Sequence, residues 1–412
     1  MKVFKFGGAS VKDALGVKNV AKVLNLQKFE NGVIVVSAMG KTTNALEAVV
    51  EAYFNGSDYL SGLSKIEDFH YQIVRDLDLE DIAEAKGIFS VFNDIQSFLE
   101  RNKSPNYNFV YDQIVSCGEI LSSKILSCYL NKNDIANSWL DARDYIKTDD
   151  SYRDANVDWQ RTEENIIALK PHKRYVTQGF IGSDANHFSV TLGREGSDYS
   201  AAIFAYALEV SQMVIWKDVP GVMTGDPRVF DNVKLLSNIS YEEAIEMAYY
   251  GASVIHPKTL QPLKQKHIPL YVKSFTEPTA EGTMVGISDK NQKEESFILK
   301  KNQVLMKIST RDFSFIAEEH ISLIFGLLYK YRMKVSLMQN SAISLAVCME
   351  DKFDNYKKII EDLECKFKID CQKDISLYTI RNADMEKIDD FYEDKDILLE
   401  QISQKTIQIV TR

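Results

Sequence analysis

The chain has 412 residues, 45% of them apolar and 26% charged, which is more than one ordinary core needs, so two or three globular domains are expected. Its net charge of −10 speaks against nonspecific nucleic-acid binding, which needs basic surface, but a local cluster of Lys and Arg could still take an anion. No apolar run approaches the ~20 residues of a membrane span, nothing at the N-terminus reads as a signal peptide, and the five cysteines (Cys117, Cys128, Cys348, Cys365, Cys371) show no CxxC spacing; together these point to a reducing, cytoplasmic setting without a membrane.

The first eleven residues, MKVFKFGGASV, read as a short buried strand (Val3, Phe4, Phe6) that runs into Gly7-Gly8 and then a helical pattern. Two glycines let the backbone turn sharply and approach a ligand closely. The turn aims amide N–H groups at a helix entrance, where partial positive charge favours a phosphate, and Lys5 adds a full charge there. Taken alone, the same residues also read as a bland tight turn beside a solvated lysine. Further apolar runs, VIVVSA at 33–38, YVTQGFI at 175–181, MVIW at 213–216 and IPLYV at 268–272, alternate with helical patterns such as Val17, Val20, Val23 and Leu24. That predicts an α/β fold: a mostly parallel sheet sandwiched by helices. Residues 55–110 read as a helical lobe on the sheet. Farther on, Ser240 starts a helix with Glu243 completing a capping box, and Gly251 sits where its C-terminal cap belongs.

A polar stretch at 286–302 reads as a linker. After it, strand 304–309, helix 318–331, the strands KVSLMQ and ISLAVCM, a helix near 353–364 and a strand at 367–371 give the ferredoxin-like order βαββαβ. ISLYTI at 375–380, a helix near 384–402 and TIQIVT at 406–411 read as a partial or truncated second module of that kind over 373–412.

One ordered set of segments carries more than any single motif. It runs FKFGGASV at 4–11, VVSAMGKTTNAL at 35–46, VSCGEILSSKIL at 115–126, GFIGSDANHFSVTLGREGSDYSAA at 179–202, KDVPGVMTGDPRV at 217–229, YEEAIEMAYYGASVIHPKTLQPL at 241–263 and EGTMV at 281–285. In order and spacing this set resembles the aspartate kinases of the amino-acid kinase family. The resemblance implies an amino-acid-kinase catalytic domain over 1–285, the linker, an ACT domain over 303–372, and the partial second module.

It also implies substrates and roles. ATP and L-aspartate would be the small-molecule substrates, with Mg²⁺ carried by the nucleotide and no metal held by protein side chains. Lys5 would stabilise the transferring phosphoryl group and Asp198 would organise the catalytic groups. Thr43, Glu119, Arg194, Glu195, Gly196 and Ser197 would bind aspartate. A guanidinium suits the α-carboxylate, and the Glu119 carboxylate suits the ammonium group. Lys5, Gly7, Gly8, Ser10, Lys217, Asp218, Met223, Arg228 and Ser253 would face the nucleotide, and Trp216 beside them is a candidate fluorescence reporter. The chain departs from the family pattern at four of these places. Glu195 stands for a glycine, Lys217 for a threonine, Met223 for a tyrosine and Ser253 for a lysine.

The family's ACT regions commonly pair across a dimer and bind an amino acid at the shared edge, so a homodimer and an amino-acid effector are expected. Where lysine-sensitive relatives carry two acidic residues, this chain has Ser336 and Ala342, and Ser336, Gln339 and Asn340 suit a neutral amino acid better. The competing expectation is that this region serves dimerisation alone. Two other functions stay open at this point: another amino-acid kinase, acting on glutamate or carbamate, or a kinase-derived sensor with a weak nucleotide site.

Overall fold

Strand Lys2–Phe6 is buried on both faces, and its side chains alternate between two environments. Phe4 and Phe6 turn to one side, where Trp216 packs edge-on to Phe4 and parallel to Phe6 at 5.6 and 6.2 Å between ring centres. Val3 and Lys5 turn to the other. The computed structural model describes residues 1–252, 255–287, 294–351, 354–384 and 395–412.

By internal contacts the chain forms two units. The first holds Met1–Val222, Leu235–Ile245 and 255–287. Its sheet has eight strands in the spatial order Ser138–Trp139, Arg174–Gln178, Gly32–Val36, Lys2–Phe6, Gln212–Lys217, Leu270–Ser274, Thr283–Gly286, Asn238–Ser240. The first six run parallel and only Leu270–Ser274 with Thr283–Gly286 pairs antiparallel. The helix Gly196–Ala207 packs on the Lys5 side of strand Lys2–Phe6. Five helices between Thr42 and Lys132 build the expected lobe and share one apolar cluster with the strand's Phe4–Phe6 side. Ser240 caps the helix Tyr241–Tyr250 through the amide of Glu243 at 3.1 Å, as its sequence predicts. Among the described residues no helix is long and apolar enough to cross a membrane.

The second unit holds Met223–Lys234, 246–252 and the described residues from 294 onward. Two of these stretches lie inside the range read as one catalytic domain. The physical reason for the first is aromatic: Phe230 packs on Phe297 and Tyr378 at 5.7 and 6.5 Å. The unit's antiparallel sheet has the order Lys334–Asn340, Ser344–Glu350, Ser296–Thr310, Phe367–Arg381, Thr406–Thr411, Ile397–Ser403. Helices Glu318–Lys330 and Tyr356–Leu363 cover an apolar cluster that includes Met306, Ile324, Val347, Ile359 and Phe367.

Three expectations need correction here. The linker at 286–302 is part strand, because Ser296–Lys300 pairs with Leu377–Arg381. The break expected at 372–374 is a left-handed residue, Asp374 with φ 58°, inside one strand Phe367–Arg381. The helix near 384–402 is absent over its second half, where Ile397–Ser403 is a strand turned back on Thr406–Thr411; residues 385–394 lie outside the described residues. Residues Leu377–Arg381 are thus paired on both sides, by Ser296–Lys300 and by Thr406–Val410.

Candidate active site

Lys5 and Lys217 reach the same point because of register. Lys5 pairs with Ile215, and Lys217 lies two residues farther along that neighbouring strand, hence on the same face. Both ammonium groups approach one carboxylate, Asp198, with Lys5 Nζ 2.6 Å from Oδ1 and Lys217 Nζ 3.4 Å from Oδ2. Asp198 is 2% exposed and sits in the first turn of helix Gly196–Ala207, where a negative charge suits the helix dipole. Burial pushes its carboxyl up, but Lys5 and then Lys217 overcome that and hold it below the usual carboxylate range. The glycine turn lies beside this ion cluster. A Cβ on Gly7 would stand 3.5 Å from Lys5 Nζ, and one on Gly8 would clash at 2.8 Å with the Ala38 carbonyl. Only glycine lets this turn lie so close to the loop after strand Gly32–Val36.

A cavity of about 500 Å³ opens above these groups. Lys5, Gly8, Thr43, Glu119, Arg194, Glu195, Gly196, Ser197, Asp198 and Lys217 all line it. So does Arg153, with Tyr111. Glu119 projects from helix Tyr107–Lys132 and is 3% exposed, and its Oε2 has no protein partner. Burial raises its carboxyl to about 8, against the opposing Ala38 hydrogen bond and Lys5 charge. A buried carboxylate without a partner is costly, so this atom fits a ligand that brings its own positive charge. Glu195 precedes helix Gly196–Ala207 with a left-handed backbone, φ 55°, which explains why a glycine suits this position in the family pattern. Burial raises its carboxyl too, opposed chiefly by Lys217, and its Oε2 is likewise buried without a partner.

The cavity thus offers a cation pair next to a glycine turn, a guanidinium, and a carboxylate waiting for a cation. The amino acid kinase family model matches residues 1–274. The lysine-sensitive aspartokinase 3 of Escherichia coli is 30% identical over 402 residues, which covers 93% of this chain and 88% of that protein. The chain belongs to the aspartokinases of the amino acid kinase family. The crystal structure of E. coli aspartokinase III with lysine and aspartate (T-state) matches all of this chain and 95% of that one, with a TM-score of 0.85 at 27% identity. The R-state structure of the same enzyme, with aspartate and ADP, matches with a TM-score of 0.83 at 28% identity and covers 96% of that chain. The kinase activity of this family and its fold, with the ferredoxin-like C-terminal region, are therefore those of this chain.

The residues expected to bind aspartate, with Lys5 and Asp198, all meet in this one cavity. The nucleotide group divides. Lys5, Gly8 and Lys217 line the cavity, and Gly7 lies against Lys5. Ser10 is buried, and its amide closes the turn onto the Gly7 carbonyl at 2.9 Å, so only its hydroxyl is left as a donor. Asp218, Met223 and Arg228 are not on this lining, and the Arg228 guanidinium instead holds Asp226 at 2.7 Å. Ser253 lies outside the described residues. Trp216 is fully buried on the opposite sheet face, against Phe4 and Phe6, so it does not face the cavity as a reporter would. In the second unit Ser336 is buried, donating to Gln303 Oε1 at 3.1 Å and lying 3.4 Å from Lys300 Nζ, while Gln339 and Asn340 are exposed. Arg153 escaped the sequence reading, since no motif marks it.

The Glu119 carboxyl sets a pH signature. Below about 8 it holds a proton in the empty cavity, so an ammonium ligand must displace that proton to gain an ionic partner. Aspartate should therefore bind more weakly as pH falls from 8 to 6.5, approaching about tenfold per unit well below the Glu119 value, and Glu119→Gln should flatten the profile. A pH-independent KM for aspartate in the unaltered chain would remove the protonated Glu119 from the account.

Proposed function

We propose that the chain transfers the γ-phosphoryl group of ATP to the β-carboxylate of L-aspartate, giving ADP and 4-phospho-L-aspartate, the first step toward lysine, threonine and methionine. The observation that carries this reading is the Lys5–Asp198–Lys217 cluster in the same cavity as Glu119 and Arg194. The reaction brings two anions together, and no protein nucleophile is needed because the substrate carboxylate attacks. What the protein must supply is charge neutralisation and alignment.

The roles follow from position. Lys5 stabilises the transferring group, and Asp198 holds both lysines in place for it. Lys217 adds a second cation at that point and supplies charge that Ser253 does not carry. The Gly7–Gly8 turn receives phosphate oxygens. Arg194 takes the α-carboxylate, Glu119 the ammonium group, and Thr43, Gly196 and Ser197 close around the substrate. Mg²⁺ carried by ATP would neutralise charge on the phosphates while keeping most of its waters, with no protein side chain assigned to hold it. Glutamate fits less well, since one more methylene moves its reacting carboxylate relative to Lys5. The C-terminal region is proposed to pair two copies of the chain, and the setting is proposed to be the cytoplasm.

Lys5→Ala should lower kcat far more than it weakens aspartate binding, by roughly 10²–10³-fold, because the charge it meets peaks in the transition state. ADP release measured with aspartate and with glutamate tests both substrate and role; a Lys5→Ala variant with near-normal kcat would exclude the role, and preference for glutamate would exclude the substrate.

Regulation is read from the same chain. Ser336 and Ala342 give a lysine effector no carboxylate, and Lys300 already places an ammonium group beside the Ser336 hydroxyl. A second ammonium there would be buried without a partner and next to a like charge, a penalty of several kcal/mol. Lysine should inhibit weakly or not at all through this strand, with a neutral amino acid such as threonine the better effector. Titrating both against the kinase assay decides it, and half-inhibition at micromolar lysine would overturn the prediction.

A further inference from the structure

Arg153 occupies a backbone conformation that its side chain does not favour. Its φ is 73°, in the left-handed region, where a side chain is strained and glycine is not. The surroundings hold it there. Its N–H donates to Asp112 Oδ2 at 3.0 Å. The same carboxylate accepts the amide and the hydroxyl of Thr191, each at 2.8 Å, and is fully buried. Asp112 therefore ties three pieces of the cavity together: helix Tyr107–Lys132, which carries Glu119; the Arg153 loop; and strand Ser189–Thr191, which leads into Arg194. The Arg153 carbonyl would lie 3.4 Å from a Cβ on Gly193, the residue before Arg194. The loops bearing the two arginines are in direct contact.

Arg153 lines the cavity, as does Tyr111, on which its guanidinium rests. That guanidinium lies 4.2 Å from the Tyr111 ring centre and pairs with Glu47 at 3.1 Å. Glu47 stands one helical turn after Thr43, which lines the same cavity. Its side chain and that of Arg153 are 34% and 40% exposed, so the pair is wet, exchangeable and weak. The Tyr111 ring holds the guanidinium by a cation–π contact and its hydroxyl shares a hydrogen bond with it, which leaves the remaining donors of the fork for other acceptors. An arginine held by its backbone and by a ring, with a displaceable carboxylate on its fork, is prepared for a different carboxylate.

We propose that Arg153 is a second carboxylate-binding residue of this cavity, acting with Arg194 on the substrate carboxylate that does not react, and that Glu47 is its internal competitor. The inference rests on the aspartate reading and adds a contact to it. Because that carboxylate is the same in ground and transition states, Arg153 contributes uniform binding and acts on KM rather than kcat.

Two substitutions with opposite expected signs test it. Arg153→Gly removes the guanidinium and relieves the backbone, so the thermal midpoint should hold or rise while KM for aspartate rises about tenfold or more, as for a lost charge-assisted hydrogen bond; kcat should stay within about twofold. Glu47→Gln removes the competitor, so KM for aspartate should fall. Calorimetric titration of aspartate into the unaltered chain and both variants reads binding without turnover. If the unaltered chain phosphorylates aspartate but Arg153→Gly keeps its KM, or Glu47→Gln raises it, this inference alone is overturned. If the unaltered chain neither turns over nor binds aspartate, the substrate reading falls and this inference with it.

Discussion

One buried carboxylate shared by two lysines is the constraint on which the rest of this site depends. Asp198 is buried on a helix, and a lone carboxylate there would be too costly to keep ionised. Lys5 and Lys217 make it affordable, and they reach it only because neighbouring parallel strands put residues 5 and 217 on one face. A one-residue slip of either strand would exchange its two faces, sending its lysine to the far side of the sheet and its aromatic side chains toward Asp198. The aromatic packing on the far face is thus what keeps the cations in register on the near one.

A second carboxylate does for geometry what Asp198 does for charge. Asp112 touches no cation directly, yet it accepts three hydrogen bonds from two separate segments. Burial raises its carboxyl to about 6, and the donors from Arg153 and Thr191 pull the other way. Protonation would weaken bonds that fix where Arg153 and Arg194 stand relative to Glu119. The sign follows from the raised value: the folded chain binds this proton more tightly than the unfolded one, so the cost of keeping Asp112 ionised is present above about 6 and is relieved as pH falls through it, while the local bonds to Arg153 and Thr191 weaken.

Most residues that meet in the cavity were legible because they are clustered along the chain. FKFGG, the Glu119 segment and the Arg194–Asp198 loop each hold their cavity-lining residues within a few positions, and strand–turn–helix punctuation places them. Arg153 was illegible for the opposite reason. Its partners are 41 and 106 residues away, and a left-handed arginine has no sequence signal. The C-terminal strands failed differently. The turn between Ser403 and Thr406 is Gln404-Lys405, with Gln404 at φ 55°, and lacks the Gly or Asn that marks a tight hairpin. Without that mark, DILLEQIS reads as readily as a helix, and only pairing with TIQIVT makes it a strand. Trp216 shows the limit of adjacency in sequence. It neighbours Lys217 along the strand and for that reason faces the opposite side.

The departures from the family pattern make sense together once the geometry is known. A lysine at 217 brings a second full charge to the site, near the Gly7–Gly8 turn and beside Lys5. Two ammonium groups on one carboxylate leave an excess of positive charge when no nucleotide is bound. Glu195 offsets it: among the charges acting on that carboxyl, Lys217 is the strongest, and Asp198 opposes it. The position that accommodates Glu195 demands a left-handed backbone, so the carboxylate is placed there against a local preference of about 1 kcal/mol or more. A site that needed no added cation would gain by keeping glycine. The strained glutamate and the extra lysine are therefore read as one change, in which the counter-charge follows from moving a cation onto the end of strand Gln212–Lys217.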